Sequence, residues 1–276
     1  MKKGYLTVVG GLLFASWYAH ATSDVSDLYD TVTGKTYVQY EHDYQWTRRR
    51  HSDSIKIVHT TPKNFHYELK FGMYPDDSDY LFKNEYSGSG GLVLQYTSYL
   101  NKKTYLTPSF ETDFMDVGMQ YIAGATLYRK LNNNWGAYIR YRYQYRRYGR
   151  ADRMGTKTVG GSEITYRKKA DTGTHRFEYG IDYRLNENWR FQYIGLYDYI
   201  YSVHGAQSCS SSGCTDVKSY MYNNKHGYYY SEVKVQYYGW YKTHHFIPYF
   251  EVDQKSGSSS APKQDAVLEL GANIYF

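Results

Sequence analysis

From Lys35 onward, apolar and polar side chains alternate with period two in segments of roughly ten residues. Tight polar turns and longer polar loops separate these segments by turns. The first, Thr36 to Trp46, sets Val38, Tyr40, Tyr44 and Trp46 against Gln39, Glu41 and Asp43; a short one, Ser54 to Thr60, follows a basic loop at Arg48, Arg49 and Arg50. The third is the clearest, with Phe65, Tyr67, Leu69 and Phe71 alternating with His66, Glu68 and Lys70. A loop is expected from Tyr74 to about Gly91, then strands carrying Leu92 to Tyr96, Thr104 to Glu111 and Met119 to Arg129. Pro108, which cannot donate to a ladder, predicts a bulge or a position near a rim.

The seventh segment, WGAYIRYRYQYRRY, carries the most information: Ala137, Ile139, Tyr141, Tyr143 and Tyr145 alternate with Tyr138, Arg140, Arg142, Gln144 and Arg146. Arginine facing acyl chains near a bilayer midplane costs about 2 to 4 kcal/mol, so the tyrosine face must be outside and the arginines inside. A long loop from about Gly149 to Gly173 follows, in which Ile164-Thr165-Tyr166 is expected to extend the sheet. The eighth segment, His175 to Leu185, places Arg176, Glu178, Asp182 and Arg184 inside. In the ninth, Trp189 to Tyr201, both parities hold apolar residues and the outward face is left open, with Arg190 and Gln192 expected inward. A cysteine-bearing loop from about Ser202 to Lys225 precedes segments at Tyr228 to Trp240, Phe246 to Asp253 and Ala266 to Phe276. Tight turns fall at Thr61-Pro62-Lys63, Asn101-Lys102-Lys103, Asn132-Asn133-Asn134 and Asn186-Glu187-Asn188. The fold class is therefore all-β: an antiparallel, up-and-down transmembrane barrel of about twelve strands, closed so that no edge is left unpaired.

Composition supports this. The chain has 37 Tyr and 19% aromatic residues, yet its mean hydropathy is -0.73. An apolar outer face with aromatic girdles around a polar lumen reconciles the two. Residues 1-21 read as a signal peptide, with Lys2 and Lys3, an apolar run from Tyr5 to Tyr18, and Ala19-His20-Ala21 as cleavage signal, leaving 22-276 as one barrel domain. The formal charge of +6 falls to +4 without the two leader lysines, too little for a nucleic-acid binder. Cys209 and Cys214 in CSSSGC point to a small disulfide loop in an oxidising compartment, and without further thiols or imidazoles nearby they do not make a zinc shell. No metal or cofactor is expected.

The inward parity defines the candidate chemistry. Arg140, Arg142, Arg146, Arg176, Arg184 and Arg190 come from three consecutive strands and form a basic stripe, with Lys56, Lys70 and Lys234 as further pore-lining cations. Glu68, Glu232, Glu251, Asp253 and Glu269 lie on other strands and give the facing wall the opposite sign. Such a field orients a charged solute while leaving the net attraction weak enough for release. Arginine pairs carboxylates bidentately, which favours polycarboxylates as passengers, while mutual pairing of Arg and Glu inside the barrel is the plainer account of the same residues.

At these residues the chain resembles the oligogalacturonate-specific monomeric porins of the KdgM type, which include a sialic-acid channel. The similarity is carried by YVQYEHDYQW before a basic loop, RYRYQYRRY, HRFEYGIDYRLNENW, IPYFEVD and the terminal LGANIYF. The resemblance implies a monomeric twelve-stranded barrel whose arginine-lined pore admits acidic oligosaccharides, with Arg140, Arg142 and Arg146 lining the lumen. It also implies an outer-membrane setting, with lipids and lipopolysaccharide around the barrel and Phe276 as the signal to the assembly machinery. The longer loops and CSSSGC depart from that pattern and leave galacturonate, alginate-derived uronates and sialic acid all open as passengers.

Two other classes compete. A barrel phospholipase needs a paired Ser and His, and no H-x-S spacing occurs. A rim protease could use Asp76-Asp77-Ser78-Asp79 with His51 or His204, though a solvated acidic loop explains that run equally. An adhesin with an occluded lumen is suggested by the tyrosine-rich loops.

Overall fold

The computed structural model describes residues 35-46, 50-75, 85-115, 118-216, 227-255 and 265-276. The leader and the Asp76-Asp77-Ser78-Asp79 run lie outside them. Seventeen strands follow one another: β1 (Lys35–Gln45), β2 (Arg50–Thr60), β3 (Phe65–Pro75), β4 (Glu85–Tyr96), β5 (Ser98–Asn101), β6 (Thr104–Met115), β7 (Gly118–Lys130), β8 (Trp135–Tyr148), β9 (Met154–Val159), β10 (Ser162–Arg167), β11 (Asp171–Arg184), β12 (Trp189–His204), β13 (Gln207–Ser210), β14 (Gly213–Asp216), β15 (Gly227–Tyr237), β16 (Phe246–Lys255) and β17 (Asp265–Tyr275). Two single-turn helices, α1 (Arg150–Arg153) and α2 (Tyr241–His244), sit in connections.

All long pairings are antiparallel neighbours in sequence, β1 pairs with β17, and the β4–β6 ladder closes the ring. With β4 and β5 as two halves of one staggered strand, the barrel has twelve. Pro108 explains the division. The ladder stops after Gln95↔Ser109 and resumes at Ser98↔Leu106 in the same register, opposite the proline that has no N–H to give. At Pro108 itself the expected bulge or rim position is an interruption without a slip, four residues from the turn end, and the register shift of this strand pair falls between Tyr99 and Asn101.

One end is closed by tight turns built from side-chain caps. Asn132 Oδ1 accepts from the backbone N–H of Asn134 and Trp135, both at 2.9 Å, and Asn186 Oδ1 does the same for Asn188 and Trp189 at 2.9 and 3.0 Å. These asparagine turns are the reason LNNNW and LNENW switch strands without a loop. The other end carries the longer connections. There the expected loop of 74-91 is shorter, because the glycine- and serine-rich stretch Glu85 to Gly91 pairs with β3. The expected loop of 149-173 contains α1 and the β9–β10 hairpin, and barrel strand β11 already begins at Asp171. Ile164-Thr165-Tyr166 lies in that separate hairpin and does not extend the barrel sheet. Cys209 and Cys214 face one another in the β13–β14 hairpin and are bonded.

The period-two face assignment holds around the ring. Phe65, Tyr67, Leu69, Phe71, Ile139, Tyr141, Phe177, Tyr179, Ile181, Val233 and Phe250 are all exposed, a surface suited to hydrocarbon and not to water. The ninth barrel strand, β12, resolves the same way: Trp189, Tyr193, Tyr197 and Tyr199 are outside, and Leu196 and Asp198 are buried inside. Tyrosine hydroxyls on the outer face satisfy one another; Tyr229 meets Tyr179 at 2.8 Å and Tyr193 at 3.2 Å, sparing three groups from facing acyl chains unbonded.

Tyrosine has a second use. A Cβ on Gly180 would stand 2.1 Å from the Tyr138 ring, and one on Gly195 2.3 Å from the Tyr179 ring. In both cases the aromatic ring lies across a glycine on the neighbouring strand and covers backbone that would otherwise be bare. Inside the turn end, Tyr105 stacks on Tyr128 at 4.7 Å, Tyr138 joins them, and Tyr99 and Ile194 pack against the three; Val58, Ile247 and Tyr275 are buried on β2, β16 and β17, across the ring. The molecule's small apolar core is thus inside the barrel, at one end.

Candidate functional site: the charged lumen

Strand parity brings the inward charges into two sets. On β8, β11 and β12, six arginines (Arg140, Arg142, Arg146, Arg176, Arg184 and Arg190) share the inner face with Glu178, Asp182 and Asp198. Six strand positions round the ring, β1, β2 and β3 stand opposite them. The remaining strands contribute Lys56, Lys70 and Lys234 against Glu41, Asp43, Glu68, Glu111, Asp113, Glu232, Glu251, Asp253 and Glu269. The excess charge is positive on the arginine strands and negative on the rest of the ring, but the carboxylates are not gathered on the facing wall as expected: Glu111 and Asp113 lie on β6, and Glu232, Glu251, Asp253 and Glu269 on β15, β16 and β17. Twelve tilted strands give a backbone diameter of about 24 Å, into which the side chains of both sets project.

The arginines are not free charges. Glu178, 3% exposed at its side chain, accepts hydrogen bonds from Arg142 at 2.9 Å and the Tyr138 hydroxyl at 3.0 Å and forms an ion pair with Arg140 at 3.2 Å, whose Nε–H donates to Thr126 at 2.7 Å. Arg176 holds Asp198 with a parallel pair of hydrogen bonds, Nε and Nη2 each at 2.6 Å, the fork geometry that lysine cannot make. Arg190 reaches the wholly buried Asp182 at 2.8 Å, and Arg146 donates to Gln120 at 3.0 Å. Carboxylates one strand away thus orient the arginine row. Mutual pairing of inward arginines and carboxylates, the plainer account from the sequence, is present here, and same-parity positions on adjacent strands name the partners.

In the second set, each lysine is likewise engaged. Lys56 bonds Glu41 at 2.5 Å, Lys70 bonds Glu111 and lies 3.8 Å from Glu68, and Lys234 bonds Glu251 at 2.7 Å with Glu269 at 4.0 Å. Lys234 also rests 3.7 Å over the Tyr249 ring, whose hydroxyl donates to Glu41 at 2.8 Å. These three lysines were grouped with the arginines as pore-lining cations, and the structure places them inside but among the carboxylates. Glu68, Glu232, Glu251, Asp253 and Glu269 face inward as expected, and Glu41, Glu111 and Asp113 join them. Glu232, Glu251 and Asp253 present oxygens within 4.8 Å of one another.

Above the arginine wall, at the loop end, the two accessory hairpins join. Lys157 donates to the Cys209 carbonyl at 3.0 Å, the Arg167 backbone N–H to Gln207 at 2.7 Å, and the Arg167 guanidinium to Asp216 at 2.8 Å. Hydrogen bonds from Gln207 and Arg167 hold the Asp216 carboxyl below the usual aspartate range. Below them Arg153 ties Asp171, at the top of β11, at 3.1 Å. The disulfide therefore fixes a hairpin that braces the loop beside the lumen mouth.

Comparison with solved structures places this architecture. The barrel is similar to the NanC porin, with a TM-score of 0.61 over 86% of this chain and 98% of that one at 14% identity. The KdgM porin aligns with a TM-score of 0.54 over 87% and 99%, also at 14% identity. A COG4313 outer membrane channel from Pseudomonas putida F1 aligns with a TM-score of 0.55 over 93% and 100% at 10% identity. The likeness is one of fold. No family model matches the chain, and no curated protein matches it.

Proposed function

We propose that the protein is an outer-membrane channel through which small charged solutes diffuse, acidic oligosaccharides of the uronate type among them. The observation that carries this reading is a closed barrel, apolar outside, whose interior carries many charged side chains of both signs, the arginines gathered on β8, β11 and β12. A bilayer accepts only such an exterior, and an interior rich in charged side chains offers ions and sugars polar partners. A carboxylate-bearing sugar would move along the Arg140, Arg142 and Arg176 row, exchanging bonds with guanidinium groups already oriented by Glu178 and Asp198. Because these arginines are paired, no single one holds the sugar tightly, and conduction requires that weak hold. Because the inward carboxylates outnumber the inward cations, anions are favoured only locally, along the arginine row, and overall charge selectivity is weak.

In this reading the tight turns face the periplasm and the accessory hairpins the exterior. Residues 1-21 direct export, Phe276 serves barrel assembly, lipopolysaccharide surrounds the outer rim, the barrel acts as a monomer, and no catalytic step is involved. The test is single-channel conductance of the refolded mature protein in a planar bilayer, with reversal potential taken under a salt gradient and trigalacturonate then added. Current block by the trimer, relieved in the Arg140→Ala/Arg142→Ala variant, is expected. Absence of any channel would sink the proposal.

A further inference from the structure

A polar cluster that holds two histidines and an aspartate lies outside the lumen, on the face that meets hydrocarbon. In the β1–β2 pair, Val38↔Ile57 and Tyr40↔Ile55 point outward, and the next pairs of the same parity are His42↔Asp53 and Tyr44↔His51. Asp53 is 3% exposed despite its outward position. It accepts from the Tyr40 hydroxyl and lies 2.9 Å from His42 Nδ1. His42 Nε2 in turn lies 3.1 Å from His51 Nδ1, with the two rings stacked at 5.2 Å and 30° and the Tyr44 ring 4.8 Å from His51. Trp46, 64% exposed, stands just beyond at the loop end, which puts the cluster at the level of the aromatic girdle and within reach of water.

We propose that His42 and His51 form a two-imidazole site for a divalent transition-metal ion at the outer rim of the barrel. Three features point there. The ligand atoms come from diagonal positions on paired strands, His42 opposite Asp53 and His51 opposite Tyr44, so the backbone ladder holds the two side chains side by side. With metal–nitrogen bonds of about 2.0 to 2.1 Å, two cis ligands stand about 2.9 Å apart at a right angle and about 3.3 Å apart at the tetrahedral angle. The 3.1 Å between His42 Nε2 and His51 Nδ1 falls between these values. Asp53 supplies the carboxylate that metal-ligating histidines commonly bond through their second nitrogen, which sets the tautomer and raises the basicity of the other. In the tautomer proposed, Asp53 accepts a hydrogen bond from His42 Nδ1–H, which leaves the Nε2 lone pair directed at His51.

Metal entry needs one internal change. In the metal-free pair His51 Nδ1–H donates to His42 Nε2; on binding, that proton moves to His51 Nε2, and both facing nitrogens offer lone pairs. No net proton is released and no redox step occurs. Water completes the coordination, so the site favours Cu2+ over Zn2+ in affinity, as nitrogen sites do.

The test uses the full folded barrel in detergent micelles, stripped with chelator and then titrated with Cu2+ and separately with Zn2+. One Cu2+ per chain is expected, with an electron paramagnetic resonance spectrum showing two coordinated nitrogens. His42→Ala and His51→Ala should each weaken binding more than tenfold, and Asp53→Asn by about tenfold through the lost orienting bond. His59→Ala, an imidazole elsewhere on β2, should leave it unchanged, and heat-modifiable gel mobility confirms that each variant is folded. No binding up to millimolar Cu2+, or binding that survives the His42→Ala/His51→Ala double change, overturns the proposal.

Discussion

Glu178 offers the sharpest test of how the arginine wall works. Replacing it with glutamine keeps the volume and an acceptor for the Tyr138 hydroxyl, but removes the one negative charge that Arg140 and Arg142 share at 3.2 and 2.9 Å. An ion passing about 7 Å from that point would feel a changed interaction of roughly 0.6 kcal/mol at the dielectric of water, and about four times that at an effective value of 20. The lower figure corresponds to about a threefold rise in anion occupancy and a similar fall for cations. The anion-to-cation permeability ratio should therefore rise by a factor of about three to ten. Reversal potential under a KCl gradient reads this directly. It is best measured near 0.1 M, where screening acts over about 10 Å, and the effect should shrink at 1 M. Glu187→Gln, a fully solvated side chain at a turn, serves as the control. An unchanged reversal potential, or a shift toward cations, would refute the assignment of Glu178 and its two arginines to the conducting path.

Two further outcomes follow from local geometry. Gly180→Ala puts a methyl group 2.1 Å from the Tyr138 ring and must displace it, so the unfolding midpoint in urea should fall by the equivalent of about 1 to 3 kcal/mol, while Gly160→Ala, with open space around its Cβ, should lose far less and only through backbone strain. Because the Asp216 carboxyl is held below its ordinary value, the Arg167–Asp216–Gln207 contact is present above the usual aspartate range, near about 3.9, and is lost only as pH falls through the depressed value. Amide exchange at Arg167 should accordingly stay slow at pH 4 and quicken only in stronger acid; release by pH 5 would contradict the contact.

Much of the barrel was legible because a half-buried strand must alternate. RYRYQYRRY assigns its own faces, since arginine toward lipid is costly and tyrosine is not, and the structure puts Ile139 and Tyr141 outside. The asparagine turns could be read for the same reason, their caps being local. What failed was nonlocal or lacked a side-chain signal. Glu85 to Gly91 looked like loop because serine and glycine show no alternation, yet the backbone of β3 and β6 needed partners and recruited it. The β12 parity was ambiguous because Ile194 and Leu196 are apolar inward residues.

The chain by itself determined the strand count, the inward and outward sets, and the presence of many inward charges of both signs, because each depends only on period two and on what each face meets. Tertiary structure decided which charges touch. Arg176 meets Asp198 and Lys234 meets Glu251 through the register of adjacent strands, and a slip of one pair would exchange every partner. The same register set His42 against Asp53 and beside His51 on the outer face, a cluster that no spacing along a single strand could announce.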